Sequence, residues 1–232
     1  MADKKGVALI VGAGAGLSAS LARALAGEGY RMALAARSVG DLDGLKAETG
    51  AETFPCDAAD AAQVEAMFEG VDEMGGGLDV VAFNPSYRTR GPIVELDPEE
   101  VRRSLIVAGF GGFLVGQQAA RRMLERGRGA ILFTGASASV KGYAGSAPFA
   151  MAKFALRGLA QSMARELAPR GIHVAHFVID GGIRSARRPA DPAKPDAMLD
   201  PDAIAASYLH VLNQPRSAWT WEVELRPWVE TF

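Results

Sequence analysis

Short apolar runs that alternate with longer stretches of helical period constrain this 232-residue chain more than any other feature. The runs are VALIV (7–11), RMALAA (31–36), AETFP (51–55), LDVVAF (78–83), GAILFT (129–134), IHVAHFVI (172–179) and WTWEVEL (219–225). Helical patterns lie between them, near 16–28, 39–48, 60–74, 97–126, from Pro148 onward, and near 201–213. Strands covered on both faces read as nearly continuous apolar runs, because neither face meets water. The alternation therefore predicts an α/β fold with a doubly wound parallel sheet and helices on both faces. With 49% hydrophobic residues and no linker or internal repeat, residues 1–232 read as one domain. The segment 184–201, with Pro189, Pro192, Pro195 and Pro201, is the candidate for a short mobile lid.

Charge and cysteine usage narrow the function classes. Net charge is −2, and the arginine pairs (Arg102–Arg103, Arg121–Arg122, Arg187–Arg188) are scattered, so no nucleic-acid or membrane-surface footprint is expected. Cys56 is the single cysteine, which excludes an internal disulfide and any cysteine-rich metal site. His173, His176 and His210 lack ligand spacing, and no metal is expected. The first 22 residues have the outline of a signal peptide, with two lysines ahead of an apolar stretch. That stretch carries Gly12, Gly14 and Gly16, which the next motif needs, so it reads as mature structure. No apolar run approaches the roughly 18 residues of a membrane span, and a cytoplasmic protein is expected.

The first strand runs into GAGAGLS (12–18). Glycines between a buried strand and a helix let backbone approach a pyrophosphate at the helix N-terminus. The second strand ends in Ala36, Arg37 and Ser38 with no carboxylate for a ribose 2′-hydroxyl. A guanidinium there matches a 2′-phosphate in charge and in its forked geometry, so NADP is favoured over NAD. In SAPFAMAK (146–153), Phe149 and Lys153 fall one turn apart on one helical face.

Taken in order, these stretches resemble the short-chain dehydrogenase/reductase superfamily over nearly the whole chain. GAGAGLS stands for the family's GxxxGxG, and CDAAD (56–60) for the segment after the third strand. FNPS (83–86) stands for NNAG, FAMAK (149–153) for YxxxK, and DGGIRS (180–185) for PGxxxT. The resemblance implies a seven-stranded sheet and a nicotinamide cofactor. It also implies dimers or tetramers built on the two long helices, the second of which has small faces at Ala150, Ala152, Ala155 and Gly158. Carried over residue by residue, the cofactor positions are Gly12, Ala15, Gly16, Leu17, Arg37, Asp57, Ala58, Asn84, Lys153, Ile183 and Ser185. Asp57 would meet the adenine.

The catalytic positions depart from the family pattern. Phe149 stands at the tyrosine position and cannot donate a proton. Ala136 stands at the serine position, into which only a one-residue shift brings Ser137. Ala108 stands where the helix would carry an asparagine. Lys153 is retained, and its family role of holding ribose hydroxyls is separable from proton transfer. Losing a positioned acid costs about 10²–10⁴-fold, and losing a second oxyanion donor about 10²–10³-fold.

Three readings stay open on sequence. A reductase could take its proton from Tyr143, Ser137, Ser139 or water. Alternatively it could act on an iminium or conjugated alkene, where no alkoxide forms. A catalytically impaired protein could bind NADP as a sensor, and a scaffold subunit could bind no nucleotide at all. Asp180, in place of the family's proline, is either an acid raised by burial or a hydrogen-bonded turn residue. Tyr87, Arg88, Tyr143 and the lid would line a pocket for a small molecule of no defined class. Arginines 184, 187 and 188 hint at an acidic one.

Overall fold

The structure is a computed structural model and describes residues 5–186 and 188–230. The first strand, β1 (Val7–Val11), is buried along its whole length. Its residues alternate between two cores: Val7, Leu9 and Val11 face one, Ala8 and Ile10 the other. A strand that must be apolar at every position belongs at the centre of a covered sheet. The remaining strands are β2 (Arg31–Ala36), β3 (Glu52–Pro55), β4 (Leu78–Phe83), β5 (Gly129–Thr134), β6 (Ile172–Ile179) and β7 (Glu222–Leu225). All seven pair in parallel, in the order β3-β2-β1-β4-β5-β6-β7. The doubly wound α/β sheet expected from the alternation is present.

Helices close both faces. On one side α3 (Ala61–Glu73), α5 (Gly111–Arg126) and α6 (Ala147–Leu167) pack Phe68, Val115, Met123, Leu156 and Ala160 onto the sheet. On the other, α1 (Leu17–Gly27), α2 (Asp43–Thr49) and α7 (Pro201–Leu212) contribute Leu21, Leu25, Leu45, Ile204 and Tyr208. Each fully buried Leu, Ile or Phe adds about 1.5–3 kcal/mol, so both layers are tightly committed. Helix starts follow their caps: Asp60 accepts from Ala62 and Gln63, and Asp200 accepts from Asp202 with Pro201 in the first turn.

Two expected elements differ. The helix predicted near 97–126 is α4 (Pro98–Leu105) and α5, joined by a π-helical turn at Ile106–Phe110. An inserted residue re-aims the helix faces on either side. Close packing accompanies it: a Cβ at Gly112 would lie 2.4 Å from Leu156 Cδ1, and one at Gly111 2.7 Å from the Ala58 carbonyl. The last strand begins at Glu222 instead of 219. Thr220 is diverted, with its amide bonded to Gln214 and its carbonyl to the His173 ring, which stacks on Trp219.

The strand order reverses between β1 and β4, and the crevice beyond their C-terminal ends is where such sheets hold ligands.

Candidate active site

A cleft of about 780 Å³ opens at that reversal. Gly12–Ala15 form one wall, Ala36–Ser38 and Cys56–Ala58 a second, Asn84–Tyr87 a third, and Ser185 with Ala186 the rim. Gly12 takes φ +79°, and a Cβ there would sit 2.8 Å from the Pro85 nitrogen, so only glycine lets the two loops meet. Asn84 fixes that meeting. Its side-chain nitrogen donates to Ser18 Oγ at 2.6 Å, and Ser18 donates to the Gly12 carbonyl at 3.0 Å. Asn84 therefore acts as a brace for the glycine turn as well as lining the cleft. Helix α1 follows Gly16, which offers no side-chain cap, and has no acidic residue in its first turn, leaving its N-terminal amides and dipole available to an anion.

Arg37 is exposed at the cleft's edge, with Asp41 nearby in the lining. Asp57 lines the cleft and turns one oxygen back to the Ala59 amide. Gly16, Leu17 and Ile183 do not line it. Leu17 is buried in the α1–α7 core, and Ile183 packs against that core and pairs with Leu199.

Lys153 lies deeper. Its ammonium is buried and donates to the Thr134 carbonyl at 2.8 Å. Burial, aided by the Arg88 charge, pushes it down to about 8. Phe149, one turn earlier, is 5% exposed and shares an apolar cluster with Ala136, Ala138 and Ala150. The Lys153 ammonium stands 5.9 Å from the Phe149 ring centre, and the Arg88 guanidinium stands 4.2 Å from it.

The expected proton sources separate on inspection. Ser139 is fully buried and its hydroxyl accepts from the Ala136 amide. Tyr143 is 47% exposed and does not line the cleft. Asp180 is buried, but its carboxylate faces Lys141 at 3.1 Å and Arg226 at 3.4 Å, the arrangement of a paired structural anion. Ser137 is half-buried and opens the short 3₁₀ turn after β5. Along the segment expected to form a lid, Arg184 pairs with Asp200 at 2.7 Å, Arg188 is exposed, and Arg187 lies outside the described residues. The two ends of that segment are joined by the pairing of Ile183 with Leu199, with Leu199 donating to Gly182 and Arg184 to Leu199.

Behind Lys153 sits a polar group that sequence spacing did not single out. His176 is fully buried on β6 with Nδ1 3.0 Å from Glu222, and Glu222 accepts a bidentate pair from Arg157 at 2.6 and 2.7 Å. Burial lowers His176 to about 4, outweighing the carboxylate that would raise it. Burial alone would raise Glu222, but Arg157 outweighs it and holds that carboxyl below its usual range. The folded histidine thus titrates below its ordinary 6.5. Its contribution to stability is complete above that ordinary value and is lost as pH falls through about 4. At 1.36 kcal/mol per unit the loss is on the order of 3 kcal/mol. Urea titrations from pH 7 to 4 should show a flatter stability profile for His176→Asn than for wild type. Parallel profiles would show that His176 does not titrate this way.

Among the described residues no group of three His, Cys, Asp or Glu could hold a metal ion, and no helix is long and apolar enough to cross a membrane.

A family model described as short chain dehydrogenase matches residues 6–191. An uncharacterized oxidoreductase of Staphylococcus aureus (strain N315) is 26% identical over 227 residues, covering 95% of this chain and 96% of that protein. A solved short-chain dehydrogenase from Rhodopseudomonas palustris superposes with a TM-score of 0.84 at 37% identity, covering 96% of this chain and 99% of that one. A metagenomic short-chain oxidoreductase solved in complex with NADP superposes with a TM-score of 0.83 at 28% identity, covering 96% and 97%.

Proposed function

The chain belongs to the short-chain dehydrogenase family of oxidoreductases, and on that premise we propose that it is an NADP(H)-dependent reductase with an atypical active site. It acts on a small molecule in the cytoplasm, and Phe149 and Ala136 replace the family's tyrosine and serine. The observation that carries the reading is the cleft itself, which joins the glycine turn, Arg37 and Asp57 around one crevice at the β1–β4 reversal. The residues fit the cofactor. The uncapped start of α1 suits a pyrophosphate. The Arg37 guanidinium suits a 2′-phosphate, and Asp57 with Ala58 bounds the adenine end. NADP in the similar metagenomic structure supports the same choice. Ser185 at the rim and Ile183 behind it would flank the nicotinamide end, and Lys153 would meet the ribose hydroxyls.

Bound there, NADPH would supply a hydride. The chain's own groups then restrict what can accept it. The Phe149–Ala136–Ala138–Ala150 cluster offers no donor to a developing alkoxide. Of the expected proton sources Ser137 and water are left, and Ser137, like Tyr143, stands outside the cleft's lining. An iminium takes the hydride and becomes an amine with no proton transfer, and a conjugated alkene takes its proton at carbon, from water, so either suits a site without an acid at oxygen better than a simple ketone. The same apolar cluster favours a second reading, in which the protein binds NADP without turnover as a sensor or partner subunit.

Calorimetry should give NADPH the tighter binding over NADH by about tenfold or more, the scale of one charge-assisted contact. The preference should be lost in Arg37→Gln. Equal affinities in the wild type would remove the NADP assignment. Turnover assays on imines, enones and ketones then divide the two readings, and binding with no turnover would select the second.

Exposed Phe110, Phe113, Met151 and Phe154 lie along the π turn, α5 and α6, and they support a homo-oligomer formed through those elements. A sedimenting monomer at micromolar concentration would overturn that part.

A further inference from the structure

Among the described residues the Lys153 ammonium has one hydrogen-bond acceptor, the Thr134 carbonyl at 2.8 Å. Thr134 closes β5. The neighbouring β4 stops at Phe83, opposite Phe133, so Thr134 reaches one residue past that ladder and its carbonyl is taken by the lysine of α6. Its side chain turns to the other helical layer, where the Thr134 hydroxyl meets the Tyr208 hydroxyl of α7 at 2.8 Å. One residue thus joins a lysine on one face of the sheet to a phenol on the other. All three residues are buried, Tyr208 completely.

The Thr134–Gly135 peptide is held from several sides. Tyr208 stacks on Phe177 of β6 with ring centres 3.6 Å apart, and the Phe177 carbonyl accepts from the Gly135 amide at 2.7 Å. A Cβ on Gly135 would lie 2.3 Å from His176 Nε2, so the buried histidine ring closes the remaining side. A phenylalanine would fill the Tyr208 site against Phe177 as well as a tyrosine does. Burying a hydroxyl costs free energy unless a partner is supplied, and here α7 and β5 supply one to each other within an otherwise apolar cluster. Burial pushes the Tyr208 phenol well above its usual range, so it stays a neutral hydrogen-bonding group. A satisfied buried pair of this kind fixes the groups that carry it.

We infer that Tyr208 is a positioning residue for Lys153: from the opposite face of the sheet it fixes, through Thr134, the carbonyl that holds the ammonium. The use of that ammonium rests on the reading above, in which it meets the ribose hydroxyls of NADP. An ammonium has three N–H groups, and anchoring one of them on a rigid carbonyl aims the other two.

Nitrogen NMR of the cofactor-free protein, with the Lys153 Nζ signal assigned by its loss in Lys153→Met, reads the anchoring, and calorimetry with NADPH reads its use. In Tyr208→Phe and in Thr134→Val the Nζ signal should move, and NADPH should bind about three- to tenfold more weakly, the scale of one hydrogen bond. Thr134→Ser returns the hydroxyl but removes a buried methyl. It should recover most of the affinity lost in Thr134→Val while melting at a lower temperature than that variant. An affinity that instead follows melting temperature across the series would overturn the inference. So would an unmoved Nζ signal in Tyr208→Phe or, in a protein that binds NADPH, an unchanged affinity. An equal loss of NADPH affinity from Tyr208→Phe in the Lys153→Met background would overturn it too, because the phenol would then act without the lysine. A wild type that binds no NADPH, with the Nζ signal moved by Tyr208→Phe, would support the positioning and sink the cofactor reading instead.

Discussion

The double variant Phe149→Tyr/Ala136→Ser should reduce a simple ketone with NADPH at least about 10⁴-fold faster than the wild type, and Phe149→Tyr alone less than about tenfold. The two positions touch one apolar cluster, so the restored hydroxyls would face the same small volume. A phenol at 149 would lie beside the Lys153 ammonium and under the Arg88 guanidinium, both of which favour its ionised form. A positioned acid contributes about 10²–10⁴-fold and an oxyanion donor about 10²–10³-fold, and groups that act as a unit gain little singly. With Ala136 still in place, the single phenol leaves the substrate oxygen with one donor and no fixed orientation. Single-turnover rates at saturating NADPH measure both variants. Robust turnover by Phe149→Tyr alone would show that the tyrosine was the sole deficit. A silent double variant would show that the buried Ala108, on the π turn, also matters.

Lys153→Met should have opposite effects on stability and on cofactor binding. In the folded protein the ammonium titrates at about 8, against 10.5 for an ordinary lysine, because it is buried and faces Arg88. The sign follows from the lowered value. Below about 8 the charge is carried in both states and the folded state bears the cost, whereas above 10.5 neither state is charged and the cost vanishes. Wild-type stability, measured against Lys153→Met without cofactor, should therefore rise by about 3 kcal/mol between pH 7 and 10.5, at 1.36 kcal/mol per unit. The bond lost at the Thr134 carbonyl offsets both ends of that range equally and does not change the slope. NADPH affinity at pH 7 should fall about ten- to hundredfold in the same variant, as expected for a charge-assisted bond. A pH-independent stability difference would deny the buried charge, and unchanged NADPH affinity would deny its role at the ribose.

The sheet was readable from sequence because its strands must be apolar on both faces. VALIV and IHVAHFVI announce their position by composition alone, and the glycine turn follows the first of them. Less of the site was visible. Asn84 could be matched to a motif, but its bond to Ser18 joins residues 66 apart, and no periodicity encodes that contact. Arg88 was visible only as a residue near a pocket. Its stacking on Phe149 depends on how the loop after β4 folds against α6. His176 reads as one more position in a buried strand, and only the pairing of β6 with β7 brings Glu222 opposite it. The π turn was hidden for a related reason. Helical spacing through 97–126 continues across it, and the glycines near it signal close packing without fixing the backbone ladder.

The two outermost strands, β3 and β7, are each four residues long. β3 ends in Pro55, which has no amide hydrogen to offer, and β7 carries Glu222 and Glu224 along its brief course. The central strands, by contrast, would be dangerous templates if either flank lay open, since they are long, apolar and flat in pattern. Short, charged and proline-ended margins give a second chain little backbone to add to. Chains crowded together at high concentration are thereby steered away from edge-to-edge stacking into fibrils.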